Sequence, residues 1–137
     1  MRVDRTTHLW DVEHELFTPG DVLPPVVATS VGTVVPLVCY DLAFPEVLRS
    51  VALRGAQLIA SPASWPDSDS PDTRPPEVSK AMAGAAINRV DHRGCRVAGP
   101  EFGATTVLVA DVDLDATLDK RQSTRNRVFA DRRTDLC

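Results

Sequence analysis

Residues 38–46 read Val-Cys-Tyr-Asp-Leu-Ala-Phe-Pro-Glu, and most of what the sequence predicts follows from this stretch. The apolar run at 34–39 is rich in β-branched residues, which is typical of a strand buried on both faces. Pro45 occupies the favoured first position of a helix, and Asp41 is placed to cap the turn between the two. Cys39 therefore lies where a strand turns sharply into a helix, and the backbone N–H groups of such a turn can stabilise an anion. A single cysteine in an apolar strand is, however, usually a small core residue.

The segments on either side of this turn predict an α/β fold. Short apolar runs bounded by turn residues indicate strands, and apolar residues at helical spacing indicate helices. Alternation of the two favours neighbouring strands with helices packed on a sheet face. The further predicted strands are 26–29, 57–60 and 105–112, and the predicted helices begin at Pro45, with Gly55 as C-cap, and span 77–90.

Prolines mark two special positions. Pro36 lies inside the predicted strand before Cys39, and proline cannot donate a hydrogen bond to a sheet. We therefore expect this strand to be an edge strand, bulged or strained at Pro36. Residues 62–76 hold five of the eleven prolines and predict a long loop.

Composition excludes several classes of function. The chain has 137 residues, 25% of them charged, with a net charge of −4 and no basic stripe, so nucleic acid is not an expected partner. No apolar run reaches the ~18 residues of a membrane span, and no signal peptide is visible, so the expected localisation is cytoplasmic. The three cysteines lack Cys-x-x-Cys spacing, which argues against a disulfide framework or a zinc site.

The stretch around Cys39 resembles the nucleophile motif of the nitrilase superfamily of carbon–nitrogen hydrolases. Further segments resemble this family in the expected order and extend the similarity over nearly the whole chain. They are Phe-Thr-Pro-Gly-Asp at 17–21, Leu-Arg-Gly-Ala at 53–56, Ser-Pro-Ala-Ser-Trp-Pro at 61–66, Ala-Ile-Asn-Arg at 86–89 and Asn-Arg-Val-Phe-Ala-Asp-Arg-Arg at 126–133.

The resemblance implies an α/β fold that is an incomplete nitrilase-like αββα sandwich. One sheet with flanking helices is expected, with the N-terminal half of the family domain missing. Residues 1–137 would form one partial domain, in which 115–137 is a charged C-terminal tail. Because the family forms dimers, this tail could contribute to a homodimer; its alternative is a solvated extension.

The resemblance also implies roles for individual residues. Family members use a Glu–Lys–Cys triad, and Cys39 corresponds to the nucleophile. The backbone N–H of Tyr40 corresponds to an oxyanion donor, and Glu13 to a second glutamate that helps position the substrate. Trp65 corresponds to a residue lining the substrate pocket. Without the family, Glu13 is as readily a solvated acid, and Trp65 an anchor of its loop.

The chain departs from the family at the triad lysine. Family members read Arg-Lys-Thr-His-Leu where residues 5–9 read Arg-Thr-Thr-His-Leu, so Thr6 occupies the lysine position without a charge. His8 lies two residues on and could face the same side. The triad glutamate lies upstream of the lysine in the family, in the half that this chain lacks, and a few tens of family residues are also absent after 90.

Three functions are compatible with these observations. The first is a carbon–nitrogen hydrolase that cleaves a non-peptide C–N bond of a small amide, carbamoyl compound or nitrile through a cysteine thioester or thioimidate. Such an enzyme would need no cofactor, and its partner would be the small-molecule substrate. The alternative is a truncated, catalytically inactive homologue lacking the triad Glu and Lys. A non-catalytic binding protein that uses the Cys39 pocket has less support.

Overall fold

The computed structural model describes residues 5–64, 76–91, 93–99 and 105–136. It contains a three-stranded sheet in the order β1-β2-β3, in which β1 pairs antiparallel and β3 pairs parallel to the central β2. This mixed α/β architecture agrees with the predicted fold class. The strands are β1 (Val27–Thr29), β2 (Gly32–Pro36) and β3 (Leu58–Ala60); the α-helices are α1 (Glu13–Leu16), α2 (Pro45–Leu53) and α3 (Pro76–Asn88); 3₁₀ helices span Cys39–Ala43 and Asp115–Thr117.

Helix α2 begins and ends where the sequence predicts. Phe44 is extended and precedes Pro45, whose fixed φ suits the first helical position. Gly55 follows the helix with φ +93, in the left-handed region that glycine tolerates without a Cβ penalty. The buried face packs on the sheet in one apolar cluster, formed by Val35, Leu37, Leu42, Val47, Leu48, Val51 and Ala56.

Pro36 lies in the central strand, yet its missing N–H leaves no gap in the ladder. The N–H groups of Leu37 and Cys39 donate to the β3 side, at Ala60 and Pro62. The N–H direction alternates along a strand, so position 36 faces the β1 side. Because β1 pairing stops at Val34, Pro36 has no neighbour there. The prediction of an edge strand is therefore wrong, because β2 is the central strand. Pro36 is tolerated there because it lies beyond the last residue that pairs with β1.

The strand predicted at 105–112 is wrong. The described residues in this range adopt no regular secondary structure. Val107 and Val109 are 87% and 89% exposed. A strand needs a neighbour for its backbone hydrogen bonds, and within the described part of the chain this segment has none. The strand-like composition of residues 105–112 is therefore not enough to form a strand.

Part of the charged tail packs on the fold. Thr117 is fully buried, and the Lys120 ammonium donates to the Arg89 carbonyl at 2.7 Å. Arg89 Nε in turn donates to the Asp119 carbonyl at 2.9 Å, and Phe129 packs against the apolar residues at the end of α3. The tail therefore covers the C-terminal end of α3 over this part of its length. Among the described helices, none is long and apolar enough to cross a membrane.

Asp91 joins the end of α3 to the sheet. Its Oδ1 accepts a hydrogen bond from the Ile59 N–H of β3 at 2.8 Å, and its own N–H donates to the Gln57 carbonyl at 2.8 Å. Burial raises the pKa of the Asp91 carboxyl from 3.8 to about 6, and the Ile59 hydrogen bond and the charge of Lys120 only partly oppose this rise.

We expect Asp91→Asn to stabilise the fold near pH 8 by about 2–3 kcal/mol. A folded-state pKa above the unfolded value means that the folded protein binds the proton more tightly. The contribution of Asp91 to the free energy of unfolding is therefore largest below about pH 4 and falls as the pH rises to about 6. Asparagine keeps the acceptor for Ile59 and cannot ionise. Urea unfolding across this range checks the prediction, with Asp91→Ala as the control that loses the acceptor; equal pH dependence in Asp91→Asn and the unmodified chain would contradict it.

Candidate active site

Cys39 is held in an unusual backbone conformation at the end of β2. It begins the Cys39–Ala43 3₁₀ helix with φ +46, in the left-handed region that costs a non-glycine residue about 1–2 kcal/mol. Its N–H donates to the Pro62 carbonyl at 3.0 Å, which ties the turn to the segment after β3. The thiol is free and partly exposed. The chain therefore leaves the sheet at Cys39 and presents the thiol beyond the sheet end.

Asp41 is the centre of the hydrogen-bond network behind this turn. Its side chain is completely buried. Oδ1 lies within hydrogen-bond distance of the Thr7 N–H, the Thr7 hydroxyl, the His8 N–H and His8 Nδ1, at 2.7–3.1 Å. Oδ2 accepts from the Val38 N–H and the Thr6 hydroxyl, both at 3.2 Å. One carboxylate thus fixes residues 6–8 against the turn that carries Cys39.

Thr6, at the position of the family lysine, and His8 both take part in the Asp41 hydrogen-bond network. The Thr6 hydroxyl lies 3.0 Å from the His8 carbonyl and 3.2 Å from Asp41 Oδ2, so it is used within the network. The His8 ring stacks on Phe44 with centroids 3.6 Å apart. Neither Thr6 nor His8 lines the cavity beside Cys39. The alternative that His8 occupies the place of the family lysine is therefore not supported by this geometry.

Cys39 opens onto a cavity of about 250 Å³. Glu13 and Tyr40 border the same cavity, so three of the predicted site residues lie together. Trp65 lies outside the described residues. The lining combines apolar and aromatic side chains with three charged ones: Trp10, Glu13, Cys39, Tyr40, Leu42, Ala43, Ser64, Glu77 and Lys80.

The backbone N–H of Tyr40 has no hydrogen-bond acceptor among the described residues. By contrast, the N–H groups of Cys39 and Asp41 are both bonded. The Tyr40 ring is fixed edge-on between Trp10, at 4.9 Å, and Phe44, at 5.1 Å. The Tyr40 N–H can therefore donate a hydrogen bond to an anion beside Cys39, and the packing of the Tyr40 ring fixes the position of this residue.

Glu13 is anchored at the start of α1. One of its carboxylate oxygens, Oε2, accepts a hydrogen bond from the Trp10 N–H at 2.7 Å. This bond ties the carboxylate to the turn that precedes α1 and holds it at the edge of the cavity. A carboxylate so placed can exchange a proton with a bound substrate or orient its amide group.

Sequence reasoning missed Trp10, Glu77 and Lys80 as cavity residues. Glu77 and Lys80 come from α3, which packs against the Cys39–Ala43 3₁₀ helix. The i,i+3 spacing of opposite charges on a helix predicts an ion pair, but it does not predict what that pair faces. Over the described ranges, no group of three His, Cys, Asp or Glu side chains is arranged to hold a metal ion.

The fold and this cavity define a class: an α/β protein that presents a thiol, a free backbone N–H and a carboxylate to a small-molecule cavity. Residues 2–122 match the carbon–nitrogen hydrolase family. The chain belongs to this family, within the nitrilase superfamily, as the resemblance predicted.

Individual relatives agree with this assignment. A nitrilase of Pyrococcus abyssi is 30% identical over 145 residues, covering 94% of this chain and 55% of the relative. The N-carbamoylputrescine amidase of Arabidopsis thaliana is 30% identical and covers 88% of this chain and 51% of the relative. A solved structure of a glutamate-to-glutamine mutant of the amidase from Nesterenkonia sp. AN1 superposes with a TM-score of 0.55 at 31% identity, covering 63% of this chain and 32% of that one. The chain thus spans about half or less of the length of these relatives.

Proposed function

We propose that this chain carries the nucleophile of a carbon–nitrogen hydrolase and that Cys39 attacks a small amide, carbamoyl compound or nitrile. The observation that carries the proposal is the position of the free Cys39 thiol, which borders one cavity together with Glu13 and Tyr40. The Tyr40 N–H donates to no acceptor among the described residues. An amide carbon is a poor electrophile, so its hydrolysis requires an activated nucleophile, a proton-transfer group and stabilisation of the developing negative charge.

In the proposed reaction with an amide, the Cys39 thiol passes its proton to Glu13 and the sulfur forms a bond to the substrate carbon. The electron pair of the C=O bond moves to oxygen, which becomes an oxyanion, and Glu13 later passes the proton to the leaving nitrogen. The Tyr40 N–H donates to this oxygen. The C–N bond then breaks, the nitrogen leaves as ammonia or an amine after receiving a proton, and a thioester remains on Cys39. Water adds to the thioester and releases the carboxylic acid and the thiol. Glu13 is the carboxylate on this chain proposed to position the substrate and exchange protons.

The relatives support this substrate class. They include proteins described as a nitrilase, an N-carbamoylputrescine amidase and an amidase. One Nesterenkonia amidase structure carries the product of Michael addition of acrylamide at its active-site cysteine. Another carries the acetamide moiety of fluoroacetamide there. Both structures are of a glutamate-to-glutamine mutant of that amidase. We propose that small amides likewise reach Cys39.

The size of the cavity favours a small substrate. Its volume of about 250 Å³ lies below the ~300–1,000 Å³ of pockets for drug-sized ligands. Trp10, Tyr40 and Leu42 provide an apolar wall. A short aliphatic or carbamoyl compound fits these dimensions better than a peptide.

A second candidate function is that of a catalytically inactive homologue. The observation that favours it is Thr6, whose hydroxyl is bonded to Asp41 at the position of the family lysine. Such a protein would keep the Cys39 cavity and bind small amides without turnover. It differs from the first candidate in a single measurable property, the release of ammonia.

Ammonia release from a panel of substrates tests the proposed function. Purified protein is incubated with acetamide, butyramide, a carbamoyl amine and a short nitrile, and ammonia is measured over time. Turnover of at least one of these compounds is expected. Binding of the amides without any ammonia release would favour the inactive homologue instead.

Glu13→Gln is expected to lower turnover by about 100-fold, because glutamine keeps the size of the side chain and cannot exchange a proton. The fold should be unaffected, since the glutamine oxygen can still accept from the Trp10 N–H. Ammonia release and far-UV circular dichroism check both parts. Glu15→Gln is the matched control, because Glu15 lies on the same short helix outside the cavity lining. Equal turnover in the two variants would remove Glu13 from the mechanism.

The remaining proposals concern assembly and location. We propose that residues 1–137 act as one partial domain, that the charged residues 115–137 contribute to a homodimer, and that the protein is cytoplasmic. Light scattering on the full chain and on variants with reversed tail charges would test the dimer: a mass of one chain at all concentrations would contradict it.

A further inference from the structure

The charged residues of helix α3 form a second charged wall of the Cys39 cavity. Glu77 and Lys80 lie one turn apart, and Lys80 Nζ is 3.6 Å from Glu77 Oε1. Both border the cavity together with Cys39 and Glu13. Their position follows from packing, because α3 lies against the Cys39–Ala43 3₁₀ helix and contacts α2 beside Gly84 and Leu48.

Among the described residues that line this cavity, Lys80 is the one cation. Glu13 and Glu77 are the acids that face it. Thr6 supplies no charge, and its hydroxyl is occupied by Asp41. Arg5 borders a different cavity, which it shares with Thr6 and Glu13. Within the described lining of the Cys39 cavity, the positive charge therefore comes from Lys80.

The ion pair is arranged so that the ammonium is accessible and the carboxylate is enclosed. The Lys80 side chain is 46% exposed, whereas that of Glu77 is 21% exposed. Glu77 Oε2 is buried and has no hydrogen-bond partner among the described residues. A lysine ammonium is a compact charge on a flexible aliphatic chain. It can therefore approach a ligand in the cavity while it stays near its carboxylate partner. A surface pair that only supports the helix would contribute a few tenths of a kcal/mol at most.

We propose that Lys80 is a catalytic residue, which stabilises the oxyanion formed when Cys39 attacks the substrate and so supplies from α3 the positive charge that Thr6 lacks. This inference rests on the proposed function. As the Cys39 sulfur bonds to the carbon, the electron pair of the C=O bond moves to oxygen. The Tyr40 N–H and the Lys80 ammonium both donate to that oxygen. The charge returns to the C=O bond when the C–N bond breaks, and Lys80 keeps its proton throughout.

Lys80→Met tests the proposal, because methionine keeps an unbranched side chain and removes the charge. The value of kcat is expected to fall by about 100-fold with KM changed less than about 3-fold, since the contact forms in the transition state. Lys80→Arg, which keeps the charge, should retain a larger share of kcat than Lys80→Met. Ser79→Met is the control for a methionine on α3, because Ser79 is exposed and outside the cavity lining.

The outcomes separate this proposal from the proposed function. Ammonia release by the unmodified chain that depends on Cys39, with Lys80→Met unchanged within about 3-fold in kcat, would overturn the role of Lys80 alone. An effect on KM alone, or equal losses in Lys80→Met and Lys80→Arg, would also overturn it. Absence of ammonia release from the unmodified chain would overturn the proposed function and, with it, this inference.

Discussion

Replacing Cys39 with alanine is expected to abolish ammonia release from every active substrate, by at least about 10³-fold. The reason is chemical, because alanine offers no atom that can form a thioester. The fold should survive, since the thiol is only partly buried and the Cys39 N–H to Pro62 hydrogen bond does not involve the side chain. Steady-state ammonia assays and urea unfolding measure the two properties separately.

Cys95 provides the matched control for this prediction. It is a free, exposed cysteine on the same chain. Cys95→Ala removes one thiol at a distance in sequence from the turn and should leave turnover unchanged. Loss of activity in both variants, or in neither, would contradict the assignment of Cys39 as the nucleophile.

Asp41→Ala is expected to cost about 3–5 kcal/mol of stability. The variant leaves the partly buried donors of residues 6–8 and Val38 without their acceptor, and a donor left unsatisfied when buried costs about 1–3 kcal/mol. Since small domains are stable by only about 5–15 kcal/mol, the variant should unfold at much lower urea concentration. The turn that carries Cys39 should also loosen, so residual turnover should fall even where the protein stays folded.

Urea unfolding monitored by circular dichroism checks the size of this effect. Asp21→Ala is the matched control, because Asp21 is exposed and its loss should change stability by less than about 0.5 kcal/mol. A loss below about 1 kcal/mol in Asp41→Ala would mean that the buried carboxylate does not organise the turn.

Local signals in the sequence are enough to predict much of the fold. Pro45 and Gly55 mark the ends of α2, because their backbone preferences hold wherever they occur. The apolar runs before Cys39 and at 57–60 predict β2 and β3, because short apolar runs bounded by turn residues are typical of buried strands. The turn at Cys39 was predictable from the short interval between a buried strand and a helix start. The predicted grouping of Glu13, Cys39 and Tyr40 relied on the family resemblance, since their spacing in sequence does not bring them together.

Features that depend on distant contacts could not be predicted. Residues 105–112 have the composition of a strand, but a strand forms only beside a hydrogen-bonding neighbour. The sequence around Lys80 does not distinguish it from other exposed lysines. Only the packing of α3 against the Cys39–Ala43 3₁₀ helix places Lys80 at the cavity. The sequence predicts Asp41 as a cap of the following turn. Its bonds to residues 6–8 come from a segment more than thirty positions away.

The central claim is that Cys39 is a nucleophile poised in a cavity for small amides. Fluoroacetamide tests it directly, because its weakly reactive C–F bond is displaced at a useful rate only where a thiolate and an amide-binding cavity coincide. The sulfur would bond to the CH₂ carbon as fluoride leaves, and peptide mass spectrometry would locate the added acetamide group. We expect modification of Cys39 with Cys95 and Cys137 unmodified. Absence of modification, or equal modification of Cys39 and the exposed Cys95, would contradict the claim.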